Sequence, residues 1–284
     1  MPPLLSQPVG EPVPHPWNTS FTWQSPRPPY RRVTDSDAAQ FDREGWFVVD
    51  RLVDGDTLVA VRDEIDRREA KVEAFLRTQP DERMSIAEAG ALTVSIHLAA
   101  RAPVLRELAS SAVMTDLCSD LLGPDVNLYW DQAVYKKPEK PRRVPWHQDN
   151  GYTYIEPQQY LTIWLALTDA TEDNGCPVVA PGVHRMGTLA HTYVEPLGYE
   201  CFSEPPRSAA ATVAAGGAVV FSSLTPHLTG PNLTDEVRKA YILQYAPAGA
   251  ETLVGDPSEG PPSARRPCDD PDRQFAVLRG GEPA

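Results

Sequence analysis

The sequence predicts a mainly β protein with flanking α-helices, arranged as a jelly roll with the helices packed on its outside. Three observations predict it. In the first half, apolar residues recur at steps of three, four and seven, the period of a one-sided helix. From Asn127 onward the period changes to two, as in strands with one face buried. Turn signals, Asp173-Asn174-Gly175 and Pro181-Gly182 among them, then cut the second half into short segments.

Each element follows in order. Residues 1–32 are a proline-rich N-terminal arm, expected to run extended and bury little, with Trp17, Phe21, Trp23 and Tyr30 as the side chains that staple it to the body. Thr34-Asp35-Ser36-Asp37 offers N-cap chemistry for a short helix through Phe41 that stops at Gly45, and Trp46 to Val49 reads as a buried strand. Asp54 or Asp56 caps a second helix, in which Leu58, Val61, Ile65, Val72 and Phe75 or Leu76 share one side. After a polar break from Pro80 to Gly90, Ala102 to Leu122 reads as one or two helices closed by Gly123-Pro124.

In the first strand beyond, Leu128, Trp130, Gln132 and Val134 share one face, and Tyr129, Asp131, Ala133 and Tyr135 the other. In the next, Leu161, Ile163, Leu165 and Leu167 point to the core, while Thr162, Trp164, Ala166 and Thr168 point away from it. Cys176 to Ala180 is a short strand between turns, and Gly217 to Ser222 and Ala240 to Ala246 supply two more. Residues 186–210, poor in period, are expected to be a long loop or lid. The body, 33–248, is thus a single jelly-roll domain with N-terminal helices, and 249–284 a Pro/Gly-rich C-terminal tail.

The totals exclude several classes of function. Twenty-six basic against thirty-nine acidic residues leave a net charge of −13 among 284 residues. Such a field repels phosphate backbones and anionic lipid surfaces, so neither nucleic acid nor membrane is an expected partner. Four separated cysteines with no C-x-x-C pair argue against a zinc knuckle or a disulfide scaffold. The N-terminus resembles no targeting peptide and no apolar run approaches the ~20 residues of a membrane span, so a cytoplasmic protein is expected.

The chemistry centres on W-H-Q-D, Trp146 to Asp149. On a strand, His147 and Asp149 leave the same face and close on one point. With His227 they make the two-histidine, one-carboxylate set that holds non-haem Fe(II) and leaves neighbouring positions open. Arg238, eleven residues past His227, requires an anion if it is buried. His184 follows a Pro-Gly turn and is expected to be structural.

F-D-R-E-G-W-F-V-V (41–49), L-G-P-D-V (122–126), W-H-Q-D (146–149), N-G-C-P-V-V-A-P-G-V-H-R (174–185) and H-L-T-G-P-N-L-T-x3-R (227–238) fall in one order and spacing. On these blocks the chain resembles the phytanoyl-CoA dioxygenase family over roughly residues 34–247. The resemblance implies a double-stranded β-helix, the cupin-like jelly roll, that binds Fe(II) and 2-oxoglutarate and uses O2, with ascorbate as the reductant in vitro. It places the metal ligands at His147, Asp149 and His227, and Arg238 on the distal carboxylate of 2-oxoglutarate, where a planar guanidinium forms a fork. Thr229 stands at a position commonly serine, Trp164 beside the co-substrate and Gln132 in its pocket. A lysine that some relatives use falls near Ser95 or His97, so that contact is absent or moved. The retained Asp149 disfavours halogenation, for which relatives carry a small residue there.

The resemblance implies hydroxylation of an unactivated C–H of a small-molecule metabolite, with release of succinate and CO2. Candidate substrate residues are Tyr152 and Tyr154, then Trp130, Tyr135 and His97. The same oxidising centre also permits desaturation, epoxidation or cyclisation, or attack on an acyl-thioester. A reading from another class is a jelly-roll protein that binds a metal or ligand without turnover.

Overall fold

Thr34 opens the first helix as a capping box: its hydroxyl accepts from Asp37 N–H, and the Asp37 carboxylate accepts from Thr34 N–H. Helix α1 (Asp35–Glu44) ends at Gly45, whose φ of 85° favours glycine, and β1 (Trp46–Val49) follows. The computed structural model describes residues 11–138, 145–195 and 197–284, so the first ten residues of the arm and Pro196 lie outside it. Asp54 caps α2 (Gly55–Leu76), in which Val61, Ile65 and Leu76 are buried and Phe75 faces solvent. The expected polar break holds β2 (Arg83–Met84) and β3 (Ala87–Glu88), and β4 (Leu92–Ile96) comes next. The region from Ala102 is two helices, α3 (Pro103–Ala109) and α4 (Ala112–Leu122).

Strand β5 (Val126–Lys136) is followed by the one-turn α5 (Asp149–Tyr152), β6 (Ile155–Glu156), β7 (Leu161–Ala166) and β8 (Pro177–Val179). Then come β9 (Thr192–Val194), β10 (Gly198–Glu200), β11 (Ala209–Ala210), β12 (Ala218–Ser222), β13 (His227–Thr229) and β14 (Arg238–Pro247). The last four strands are β15 (Glu251–Val254), β16 (Ala264–Pro267), β17 (Phe275–Arg279) and β18 (Glu282–Pro283).

The largest sheet runs β1-β12-β7-β14-β5-β4-β3-β2, antiparallel throughout, and β17 also pairs with β5. Smaller sheets, β11-β8-β13 and β16-β15-β6, complete the roll. The helices cover one face of the large sheet: Phe41, Ile65, Leu105 and Leu117 share a core with Leu161, Ile163, Leu165, Tyr241 and Leu243. Trp164, Ala166, Phe221 and Ile242 turn the other way. The jelly roll with outer helices is therefore as expected, and β7 alternates as its sequence does.

Three expectations need correction. Opposite β14, the pairing of β5 skips Tyr129, since Gln244 faces Trp130 and Tyr245 faces Leu128. This bulge shifts the alternation by one residue, so Leu128 joins the helix-side core and Tyr129 does not. The tail buries more than its composition predicts: Phe275-Ala276-Val277-Leu278 adds a strand beside β5, with Val277 and Leu278 fully buried. Residues 186–210 hold the hairpin β9-β10 and the short β11, and Thr188 and Leu189 are buried. The described part of the arm is tied down through the four aromatic residues named for it: Trp23 is buried with its indole N–H on Asp42, Trp17 donates to the Gly260 carbonyl, and Phe21 and Tyr30 pack on the core. Backbone N–H groups of Arg31, Arg32 and Val33 all donate to the Asp120 carboxylate. All four cysteines are buried and unbridged.

Candidate active site

His147 and His227 pair as isolated bridge partners, exchanging backbone N–H···O bonds of 3.0 and 2.8 Å. Their rings lie 4.4 Å apart, centre to centre. The expected strand does not extend to Asp149, which instead opens α5 two residues on. Even so, one ligand atom from each of His147, Asp149 and His227 lies within 4.8 Å of the others, and His227 Nε2 is 3.8 Å from Asp149 Oδ1.

Each histidine is oriented through its far nitrogen. His147 Nδ1–H donates to the Pro145 carbonyl at 3.1 Å and His227 Nδ1–H to the Thr225 carbonyl at 3.0 Å, which presents both Nε2 lone pairs to the site. Burial lowers both imidazoles to about 4, so they are neutral, as ligation requires. Burial raises Asp149, whose carboxylate is held by the Thr162 hydroxyl and by Gln244. Two neutral imidazole nitrogens and one hydrogen-bonded carboxylate oxygen, facing a cavity, fit a divalent metal of the iron type.

That cavity, about 370 Å³, lies against the inner face of the large sheet. The register builds its floor: Arg238 sits opposite Lys136, Ile242 opposite Gln132 and Trp164, and Gln244 opposite Trp130. Arg238 is buried, with its guanidinium carbon 5.2 Å from the Trp164 ring centre, a cation–π contact. Lys136, also buried, donates to the carbonyls of Thr229 (3.1 Å) and Gly230 (2.6 Å). Tyr152 stands beside His147, ring centres 5.2 Å apart, and lines the cavity toward solvent.

The cavity gathers His147, Asp149, His227, Arg238, Thr229, Gln132, Trp164, Trp130 and Tyr152 from the expected set. Three tentative substrate residues stand elsewhere. Tyr135 is on the helix face of β5 and donates its hydroxyl to Asp66. Tyr154 packs against His15 and Trp17 of the arm. His97, at φ 56°, backs Trp130 edge-on from outside the cavity. His184 is structural as expected, buried against Trp23.

Residues not anticipated include Lys136, Thr162 and Gln244. For Lys136 and Thr162 the signal was present, in the period-two series 130-132-134-136 and 162-164, whereas Ala240 to Ala246 was read as a strand without a face, which left Gln244 unplaced. Tyr129 and Tyr160 also line the cavity; for Tyr129 no signal existed, since its direction depends on the bulge.

The profile of the phytanoyl-CoA dioxygenase (PhyH) family matches residues 41–240. Phytanoyl-CoA dioxygenase 1 of Oryza sativa subsp. japonica is 26% identical over 191 residues, covering 56% of this chain and 68% of its own length. Ectoine dioxygenase of Sphingopyxis alaskensis is 23% identical over 273 residues, 89% of this chain and 85% of its own. Among solved structures, EvdO2 of Micromonospora carbonacea var. aurantiaca, complexed with 2-oxoglutarate, superposes with a TM-score of 0.61 at 26% identity, covering 80% of this chain and 96% of that one. The carbocyclase SnoK of nogalamycin biosynthesis shares the fold, with a TM-score of 0.65 at 20% identity over 78% of this chain and 87% of its own. The chain belongs to the phytanoyl-CoA dioxygenase family, and with it to the iron- and 2-oxoglutarate-dependent oxygenases.

Proposed function

We propose that His147, Asp149 and His227 hold Fe(II), that Arg238 receives the distal carboxylate of 2-oxoglutarate, and that the protein hydroxylates an unactivated C–H of a small-molecule metabolite. The observation that carries this is the placement of the three ligand atoms and a buried arginine in one cavity. Iron and 2-oxoglutarate, when bound, supply the oxidising equivalent that attacks a C–H while 2-oxoglutarate goes to succinate and CO2. The protein's part is placement and exclusion of water. The planar Arg238 guanidinium suits a carboxylate, and Thr229 and Lys136 line the same cavity. Trp164 and Gln132 line the cavity with Arg238 and would pack against the co-substrate. Trp130, whose indole N–H donates to the Gln132 amide oxygen, and Tyr152 line the same cavity and would orient the substrate.

The carboxylate of Asp149 occupies a metal position that halogenation would need vacant. Relatives are named both for phytanoyl-CoA and for free small molecules, and ectoine dioxygenase, which aligns with 89% of this chain against 56% for the Oryza sativa phytanoyl-CoA dioxygenase 1, supports a free metabolite. Purified protein given Fe(II), 2-oxoglutarate and ascorbate in air should form succinate in response to one member of a metabolite panel, and His147→Ala and Arg238→Ala should abolish it. Product mass then separates hydroxylation, one oxygen gained, from desaturation, two hydrogens lost. Iron binding without any 2-oxoglutarate-dependent absorption band or succinate would leave only a binding protein.

A further inference from the structure

The residue between His147 and Asp149 in W-H-Q-D has both polar atoms of its side chain hydrogen-bonded. Gln148 is fully buried. Its amide N–H groups donate to the Leu224 carbonyl at 2.6 Å and the Gly187 carbonyl at 3.0 Å, and its amide oxygen accepts from Leu189 N–H at 2.7 Å. Its backbone N–H donates to His191 Nε2 at 2.9 Å, and His191 Nδ1–H donates on to the Leu189 carbonyl. Leu224 lies in the turn leading to His227, three residues before it. One side chain thus joins the loop that carries His147 and Asp149 to the turn that aims His227, and both to the segment 187–191.

That segment is held in turn by the N-terminal arm. Pro14 bridges Leu189, His15 N–H donates to the Thr188 carbonyl at 2.9 Å, and Ala190 N–H donates to the Val13 carbonyl at 2.7 Å. The Asn18 amide donates to the Met186 and Thr188 carbonyls at 2.8 and 3.0 Å. Gly187 has φ 74°, and a Cβ there would come within 2.6 Å of Asn18 and 2.8 Å of Phe21, so the arm lies tight against it.

We propose that Gln148 is a positioning residue for the metal centre, setting the spacing of His147 and Asp149 relative to His227, and that residues 13–18 of the arm are its outer support. This rests on the reading of those three residues as metal ligands. Groups that orient ligands at one remove are worth about 10- to 100-fold in metal affinity. Gln148→Glu keeps the acceptor for Leu189 but sets a carboxylate against two carbonyls; Gln148→Met keeps the volume and loses every side-chain bond.

The test is anaerobic titration with Co(II), a spectroscopic stand-in for Fe(II), following its visible bands and its Kd. Both Gln148 variants are expected to bind Co(II) at least 10-fold more weakly with altered bands, and Asn18→Ala to move the same way by about 3-fold. Tyr245→Phe is the control: it deletes a buried hydrogen bond to the Ala109 carbonyl in the helix-side core and should leave Kd and bands unchanged. Folded Gln148 variants that bind as tightly as wild type would overturn the proposal, as would a Tyr245→Phe loss equal to theirs. If neither Gln148 variant folds, an unaltered Asn18→Ala Kd overturns it. Failure of the wild type itself to bind Co(II) would sink the metal reading instead.

Discussion

Arg238 and Lys136 sit opposite each other on neighbouring strands, and both line the cavity. Removing a charge-assisted hydrogen bond costs about 1.5–3 kcal/mol, so Arg238→Met should weaken 2-oxoglutarate binding roughly 10- to 100-fold. Equilibrium dialysis with metal present measures this, and an unchanged Kd would move the co-substrate elsewhere. On the substrate side, Tyr152 lines the cavity while Tyr135 stands behind the sheet. Tyr152→Ala should therefore raise KM or change the oxidised position, whereas Tyr135→Phe should cost stability and leave product identity unaltered, as product chromatography would show. The His147, Asp149 and His227 set was legible because the ordered blocks of the family resemblance join His227 to a His-x-Asp pair that is weak evidence alone. Tyr135, Tyr154 and His97 misled because adjacency in sequence or face says nothing about which side of a wall a ring occupies.

Among the elements, α1 and α2 were readable from their caps and apolar spacing, which are local properties, although the sequence left the α2 cap between Asp54 and Asp56 and its last buried position between Phe75 and Leu76. Strand β5 was readable only from Trp130 onward, because the bulge at Tyr129 is set by its partner β14 and not by its own residues. The last strands were obscured by prolines that punctuate the tail, although Phe275 to Leu278 is an apolar run. Strand β17 gives this a measurable consequence. Leu278 is fully buried in the helix-side core, so Leu278→Ala should cost about 2–5 kcal/mol, seen as a lower urea midpoint with little change in m. A loss under 1 kcal/mol would mean that β17 is only laid on the surface.

For the molecule as a whole, buried neutral histidines lower stability in acid. Burial lowers His184 to about 4 from its ordinary 6.5, and lowers His191 to about 3. Between those values and 6.5 the unfolded chain binds more protons than the folded one, so stability rises with pH across that window and falls as pH drops through 6.5. At pH 5, His184 alone accounts for a loss of roughly 2 kcal/mol relative to pH 8. Thermal midpoints should thus decline from pH 7.5 to 5, and His184→Gln should flatten the decline; an equally steep variant would assign it to other groups. Among the described residues, no helix is long and apolar enough to cross a membrane.

The backbone bridge between His147 and His227 has one more consequence. Eighty positions of chain separate the pair, yet main-chain bonds and two carbonyl anchors, all independent of any ion, bring the imidazoles together. The site behaves as a socket and not as a rivet. Chelated protein should keep its circular dichroism and refold from urea without added iron, unlike a zinc finger, whose fold is its metal affinity.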